Sequence, residues 1–214
     1  LAAVEKGRSS LQHIGDELKD NKEFILEVVR QYGWVLGYPS EALRNDRDFI
    51  LESVALSGYA LKFFSESFWS DLEVVRSAVA QNGIALRYAS ETLKNDRNIV
   101  MIAVSNDGMA LEYASSELQK DPEVVLAAVA QGAPRAFLHA SDRLRDDRDV
   151  VLAAIKLSPY AILYVSNRLK NDRGVVLTSV AKHGSALHHA SIRLKHDSNF
   201  LLDCVKLQPS VLIP

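Results

Sequence analysis

The chain has 214 residues, of which 48% are hydrophobic and 24% charged, and its formal net charge is −2. This composition is that of a folded globular protein and excludes a long disordered chain. It gives no overall attraction to nucleic acid, and no apolar run reaches the roughly 20 residues of a transmembrane helix. The single cysteine, Cys204, excludes an internal disulfide and is typical of a reducing, intracellular compartment such as the cytoplasm or an organelle interior.

The most informative feature of the sequence is a repeat of 25 residues. The pentapeptide LKNDR occurs at 93–97 and 169–173, with close variants at 43–47, 144–148 and 194–198. Counted from its aspartate, units begin near 21, 46, 71, 96, 121, 147, 172 and 197. One extra residue and Pro134 fall in the stretch QGAPRAF at 131–137, where we expect an irregularity.

Each unit opens with a predicted helix, for which residues 71–95 serve as the template. Asp71 is a predicted N-cap, because a carboxylate can accept hydrogen bonds from the free amides of a starting helix. Apolar residues follow at Val74, Val75, Ala78 and Val79, a spacing that places them on one helical face. Glycine comes next at Gly83, and at Gly33, Gly58, Gly108 and Gly184 in other units, as a predicted left-handed stop. Pro159 and Pro209 stand at the same place.

A second, short helix and a last turn complete the unit. The short helix reads IALRYA in the template, with a small residue at Ala85 and an inward Leu86. Ser90 then begins a single turn, α or 3₁₀, that ends on the inward Leu93. LKNDR is therefore the joint between units: an inward leucine, a solvated base, a turn residue, a cap and the first residue of the next helix.

These elements predict an all-α protein built as a right-handed α-solenoid of about eight 25-residue repeats, each a helix followed by a short helix or 3₁₀ turn. A single unit is too small to bury its own apolar face, so neighbouring units must share one core. We expect one repeat domain over residues 1–214, with partial units at both ends. Because no polar capping unit is present at either end, we expect a fragment of a longer protein or a subunit of a larger assembly.

The repeated pattern resembles the helical repeat family catalogued as domain of unknown function 4116. The residues that carry the resemblance are the aspartate, the V-V-L-x-A-V helix, the A-L-x-Y-A-S segment and the L-K-N joint, and units 71–95, 96–120 and 121–146 match best. Units 21–45 and 46–70 depart from it at Pro39, Phe64, Phe68 and Trp69. The resemblance implies an all-helical array that acts as an interaction segment, and it supplies no catalytic residues.

The candidate binding residues are those that vary while the rest of the repeat stays constant. They lie at the places of Ile84 and Arg87, three apart and so on one face of the short helix. Trp69 joins them because it replaces the basic residue of a joint and should be exposed. The predicted protein-binding residues are Trp34, Tyr59, Trp69, Arg87, Met109, Leu138, Tyr160 and Leu163. The alternative is that these side chains lean back onto neighbouring repeats.

Nucleic-acid or polyanion binding is a second hypothesis. Basic residues recur beside the caps, at Arg44, Arg47, Lys94, Arg97, Arg145, Arg148, Lys170, Arg173 and Lys195. Such a row could follow a phosphate backbone, although each base adjoins an aspartate and no aromatic residues interleave with the row. A solvated surface is the alternative that we favour.

No residue pattern indicates an enzyme, a cofactor or a metal site. The ring place of each unit (Phe63, Tyr88, Tyr113, His139, Tyr164, His189) could stack a ligand, but the phenylalanine favours packing between repeats. His188 and His189 are adjacent and point about 100° apart, so they do not converge on a metal. Cys204 occupies a small core place, and the recurring serines are predicted caps. We therefore expect a non-enzymatic protein that needs no cofactor and binds another protein.

Overall fold

The computed structural model describes residues 14–32 and 39–209, and these residues form α-helices, 3₁₀ helices and connecting turns with no strand among them. Contacts between residues divide the chain into two compact units, Leu1–Tyr113 and Ala114–Pro214. Each unit is built from the same helical repeat. The all-helical repeat fold predicted from the sequence is thus confirmed, while its right-handed winding and its description as one domain stay predictions.

Each repeat opens with a long helix, which begins directly after the predicted cap. The first unit contains Lys22–Tyr32, Arg47–Leu56, Leu72–Gln81 and Arg97–Asn106. The second contains Pro122–Ala130, Arg148–Leu157, Arg173–Lys182 and Ser198–Leu207. Asp71 accepts hydrogen bonds from the amides of Glu73 and Val74 at 3.0 and 3.1 Å, and Asn21 caps the first long helix through the amide of Phe24. The other aspartate caps are confirmed in the same way, at Asp46, Asp96, Asp121, Asp147, Asp172 and Asp197.

Where the structure describes the second element of a repeat in full, that element is a six-residue 3₁₀ helix. These helices are Gly58–Phe63, Gly83–Tyr88 and Gly108–Tyr113 in the first unit, and Pro134–His139, Pro159–Tyr164 and Gly184–His189 in the second. The last element is one short turn. It is α-helical at Asp16–Lys19, Glu41–Arg44, Glu91–Lys94, Asp142–Arg145, Asn167–Lys170 and Ile192–Lys195, and 3₁₀ at Phe68–Ser70 and Leu118–Lys120.

The core lies between the long helices and the 3₁₀ helices, where sequence periodicity predicts it. In the template repeat Val74, Val75, Ala78 and Val79 are fully buried, and so are the paired Ala85 and Leu86 of the following 3₁₀ helix. The leucine of most short turns is also buried, as at Leu93 and Leu169, but Leu18 of the first described turn is exposed. Repeats within a unit therefore share one apolar interior, as a solenoid requires.

The glycines that follow the long helices do not have the predicted role. Among the described residues only Gly132 has a positive φ, so the expected left-handed stop is wrong at Gly58, Gly83, Gly108 and Gly184, while Gly33 lies outside the described residues. A Cβ on Gly83 would lie 2.3 Å from the carbonyl oxygen of Ala103, and one on Gly58 would lie 2.2 Å from that of Ala78. Glycine is needed at these two positions because the backbone of the next long helix lies so close that it leaves no room for a Cβ atom.

The amides of Gly58 and Gly83 each donate a hydrogen bond to the last residue of the next long helix. The amide of Gly83 donates to Oδ1 of Asn106 at 2.7 Å, and the amide of Gly58 donates to Oε1 of Gln81 at 2.5 Å. Asn106 also donates through Nδ2 to the carbonyl of Ala80 at 2.9 Å. Side-chain amides thus tie the end of one repeat to the repeat before it.

The joints carry a second set of bonds between repeats. The amide of Ser191 donates to the carbonyl of Lys170 at 2.9 Å, and its hydroxyl donates to Oδ1 of Asn171 at 2.6 Å. The same two bonds link Ser40 to Lys19 and Asp20. Serine therefore both caps its own turn and fastens that turn to the preceding joint.

The extra residue lies where the sequence places the irregularity. The long helix Pro122–Ala130 is one residue shorter than its neighbours in the second unit, and Gly132 follows with φ 73° before the 3₁₀ helix begins at Pro134. A Cβ on Gly132 would meet nothing within 4 Å. The insertion is accommodated in an open turn, so the core register on either side is kept.

Candidate protein-binding face

The varied residues lie at the second and fifth positions of each 3₁₀ helix. A 3₁₀ helix has three residues per turn, so these two positions point to the same side. We call the surface that these positions form in each unit the 3₁₀ face of that unit. Its residues are Tyr59, Lys62, Ile84, Arg87, Met109 and Glu112 in the first unit, and Arg135, Leu138, Tyr160, Leu163, Ser185 and His188 in the second.

Solvent reaches this face to different extents in the two units. Of the predicted site residues in the first unit, Arg87 is exposed, and Tyr59 and Met109 are half-buried. In the second unit Leu138 and Tyr160 are exposed, at 42% and 40% of their surface, and Leu163 is half-buried. Trp34 lies outside the described residues. None of the described site residues is fully buried.

Two cations of the first unit sit on aromatic rings. The ammonium of Lys62 lies 3.9 Å from the ring centre of Tyr59 and 4.5 Å from that of Phe63. The guanidinium of Arg87 lies 5.1 Å from the ring centre of Tyr88 and 5.7 Å from that of Tyr113. Cations at these distances are attracted to the negative face of a ring.

The rings of adjoining repeats also meet each other. Tyr59 and Tyr88 pack edge to face, with ring centres 6.2 Å apart, a favoured arrangement of aromatic pairs. The Lys62 ammonium, together with the hydroxyl of Tyr88, holds the pKa of Tyr59 below its ordinary value. Burial, together with the hydroxyl of Tyr59, raises the pKa of Tyr88.

Trp69 is less exposed than the sequence predicts. Its indole N–H donates to the carbonyl of Leu61 at 3.2 Å, and its ring centre lies 6.5 Å from that of Tyr88. The side chain is half-buried because it folds back over the preceding 3₁₀ helix. Trp69, which stands where most other joints have a basic residue, thus adds the edge of its ring beside Tyr88.

In the second unit the face is more apolar and includes one polar cluster. The hydroxyl of Tyr160 and Nε2 of His183 are 3.0 Å apart, and Nδ1 of His183 lies 2.7 Å from the hydroxyl of Ser185. His183 is the residue before a 3₁₀ helix and does not belong to the varied positions, so its place in the repeat does not connect it with Tyr160. Leu138 and Leu163 contribute aliphatic surface in neighbouring repeats.

The aromatic and histidine rings at the last position of each 3₁₀ helix are packed within the protein and do not project into solvent. Tyr88, Tyr113, His139, Tyr164 and His189 are all half-buried. Burial, with a smaller contribution from Lys170, lowers the pKa of His189. These rings form the floor beneath the varied positions, in agreement with the packing interpretation.

The arginines at the first position of the long helices pair with the next repeat. Arg47 contacts Asp71 at 2.8 Å and Glu73 at 2.7 Å. In the second unit Arg148 contacts Asp172 at 3.2 Å and Arg173 contacts Asp197 at 3.7 Å. Lysines of the joints bond to carbonyl oxygens, as Lys170 does to Leu163 and Lys195 to His188. Much of the basic row is therefore occupied by contacts inside each unit.

The second unit buries the thiol of the only cysteine in the sequence. Cys204 is fully buried at the small core place, and burial raises the pKa of its thiol. Within residues 14–32 and 39–209, no group of three or more His, Cys, Asp or Glu side chains is placed to hold a metal ion. Across the same ranges, no helix is both long enough and apolar enough to cross a membrane.

The comparison with known proteins gives one match. A family model described as domain of unknown function (DUF4116) matches residues 1–44, 46–94, 71–119, 96–133, 121–170 and 172–213. No curated protein and no solved structure matches the chain. Several matches begin at residues that cap long helices, at 46, 96 and 121, so the family unit coincides with the structural repeat. Because the matches cover nearly the whole sequence, the chain belongs to the DUF4116 family of helical repeats.

Proposed function

We propose that the protein is a non-enzymatic interaction scaffold that binds another protein along the 3₁₀ face. The observation that carries the proposal is the exposure of large apolar side chains at positions that vary between otherwise constant repeats. Leu138 and Tyr160 are both exposed and lie in successive repeats of the second unit. Exposed aromatic and aliphatic groups on a rigid frame are typical of protein-binding surfaces.

The hydrogen bonds that the polar side chains make within the protein support a scaffold rather than an enzyme. The aspartates cap helices, the serines cap turns or bond to the preceding joint, and Asn106 and Gln81 hold glycine amides. A general base or nucleophile needs a free lone pair beside a substrate. The chain has a single cysteine, Cys204, and its thiol is free, which supports work in a reducing, intracellular compartment. We also propose that the protein is a subunit of a larger assembly.

Nucleic-acid binding through the basic row is the alternative proposal, and it has less support. Arg47, Arg148 and Arg173 each contact an aspartate of the next repeat. Releasing them for phosphate would expose unpaired carboxylates beside the nucleic acid. That alternative predicts strong salt dependence and loss of binding in Arg97→Glu or Arg148→Glu.

Site-directed photo-crosslinking tests the scaffold proposal. A photoreactive phenylalanine at position 138 or 160 should crosslink a defined protein in extract of the native cell, whereas the same group at Leu72 or Leu202 should not. Leu72 and Leu202 are the matched controls because they are 53% and 58% exposed but lie on long helices. Leu138→Glu should then abolish binding of the purified partner. Equal crosslinking from all four positions, or none from 138 and 160, would reject the proposal.

A further inference from the structure

The first unit carries two cations that differ from the other bases around them. Arg47 is paired with Asp71 and Glu73, and Lys94 is paired with Glu91. Lys62 and Arg87 form no ion pair among the described residues of this unit, and they occupy the same repeat position one repeat apart. The positive charges of these two side chains are therefore available to bind a ligand.

The rings beneath these cations hold them in place. Lys62 lies over Tyr59 and Phe63, and Arg87 lies over Tyr88 and Tyr113. Contact with a ring leaves the N–H groups on the outer side able to donate, because the ring attracts the cation without taking up each donor. A long side chain that is already restrained loses less entropy when a ligand binds.

The arrangement favours a carboxylate-bearing peptide over nucleic acid. Bases would need open ring faces for stacking, but here the ring faces are covered by cations and the rings of Tyr59 and Tyr88 meet edge to face. The same position of the next repeat is Glu112, so the positive charge extends over two repeats only. A patch of this size matches a short acidic segment, and the half-buried Tyr59 and Trp69 offer apolar contact beside it.

We propose that Lys62 and Arg87, with the rings of Tyr59, Tyr88 and Trp69, form a docking site for an acidic peptide segment of the partner protein. Carboxylates of the segment bind the two cations, and an apolar side chain between them packs on the ring edges. The site rests on the proposed scaffold function and specifies the chemistry of the partner in the first unit.

Fluorescence polarisation of the full chain tests the site. The probe is a fluorescein-labelled peptide of six glutamates around a central leucine pair, and its glutamine counterpart is the uncharged control. The glutamate peptide should bind more tightly than the glutamine peptide. Lys62→Glu and Arg87→Glu should each weaken it by about tenfold, the value of one charge-assisted hydrogen bond, and Arg87→Lys should retain most of the affinity.

Arg76→Glu is the matched control variant, because Arg76 is an exposed arginine of the same repeat on the long helix. It should bind the peptide within about twofold of the unaltered chain. Far-UV circular dichroism should show the same helical content in all variants, and Lys62→Glu and Arg87→Glu should each lose no more than about 1 kcal/mol of stability, the value of a cation–ring contact at an exposed site. An equal loss in Arg76→Glu, or no difference between the glutamate and glutamine peptides, would overturn the site.

Three further outcomes separate this site from nucleic-acid binding and from the scaffold proposal. If oligothymidine binds more tightly than the peptide and Arg87→Glu removes that binding, the ligand is nucleic acid and the acidic-peptide site is wrong. If the peptide binds through Lys62 and Arg87 while positions 138 and 160 give no specific crosslink, the docking site stands and the wider face fails. If the crosslinks are specific but peptide binding ignores Lys62 and Arg87, the site fails and the scaffold proposal stands.

Discussion

Single residues in this protein are constrained by the repeat that follows them. Gly83 lies under the long helix Arg97–Asn106, and the neighbours that an added Cβ would meet are backbone atoms of Ala103 and Asp107. Backbone atoms of a packed helix cannot move as the tip of a flexible side chain can. The requirement for glycine is therefore set by packing between repeats and not by local chain geometry.

Gly83→Ala should lower the free energy of unfolding by about 1–3 kcal/mol, the usual cost of forcing an extra carbon into a packed interior. Urea unfolding followed by circular dichroism measures it. Gly15→Ala is the control, because a Cβ there meets nothing within 4 Å, and its effect should stay within about 0.5 kcal/mol. Equal effects of the two substitutions would contradict the packing argument.

The recurring serine offers a comparison of two equivalent residues. The hydroxyl of Ser191 accepts from the amide of Leu194 at 3.2 Å and donates to Asn171 at 2.6 Å. The hydroxyl of Ser90 is buried, and it has no hydrogen-bond partner among the residues that the structure describes. Ser191→Ala should therefore lower the free energy of unfolding by about 0.5–2 kcal/mol. Ser90→Ala should be neutral or stabilising, because it removes a buried, unbonded hydroxyl.

Thermal unfolding of the two serine variants, each compared with the unaltered chain, checks this prediction. A loss of stability in Ser90→Ala as large as that in Ser191→Ala would show that the two hydroxyls are bonded alike.

At the scale of the secondary-structure elements, several helix starts combine a cap with an ion pair between repeats, at Asp71, Asp172 and Asp197. Asp71 caps its own helix and contacts Arg47 of the preceding repeat. Asp71→Asn keeps a capping oxygen but loses the charge, whereas Asp71→Ala loses both. The alanine variant should be less stable than the asparagine variant by about 1 kcal/mol. Urea unfolding of the two proteins at neutral pH measures the difference, and equal stability would contradict the assigned cap.

The same elements predict how stability depends on pH. The hydrogen bond from Arg47 is the main reason why the pKa of Asp71 is lowered. At Asp172 burial acts in the opposite direction, but hydrogen bonds from the amide of Val175 and from Arg148 outweigh it and lower the pKa. A carboxyl with a lowered pKa in the folded state stabilises the protein above the pKa of the unfolded chain, about 4, and this contribution is lost as the pH falls below that value.

The free energy of unfolding should thus decrease as the pH is lowered from about 5 towards 2. Asp71→Asn should show a shallower decrease because it has one fewer carboxyl with a lowered pKa. Chemical unfolding at a series of pH values tests this, and parallel curves for the two proteins would show that Asp71 does not contribute.

The sequence predicted those elements whose cause lies within one repeat. The caps at Asp71 and Asn21, the buried Val74 and Val75 and the open turn near Gly132 all follow from local spacing. The close approach at Gly83 could not be predicted, because it depends on a carbonyl oxygen 20 residues further along the chain.

The candidate site was likewise predictable only in part from the sequence. The second and fifth positions of the 3₁₀ helices were identified by their variation. The sequence did not show that Trp69 would turn back onto Leu61, or that Lys62 and Arg87 would rest on rings, because these positions depend on contacts within the folded unit.

At the scale of the whole molecule, the bonds between repeats have fixed sequence separations. Removing residues 72–96 should therefore join two matching surfaces: Asp71 would cap the helix that begins at Arg97, and Asn106 would face the amide of Gly58. We expect this shortened protein to keep its helical content per residue and to melt cooperatively. Removing residues 72–91 breaks the register and should abolish cooperative melting. Circular dichroism compares the two, and equal behaviour would contradict a register-dependent core.

The paired donors and acceptors at the joints have a consequence for how such a protein can lengthen over time. A serine reaches back to the joint before it and an arginine reaches forward to the cap after it. A tandem duplication of the gene segment that encodes one 25-residue repeat thus adds the donor and the acceptor of these bonds together. The new repeat needs no further substitution to bond to its neighbours. Copy number can change in single steps, while the exposed side chains of each new copy are free to diverge towards a new ligand.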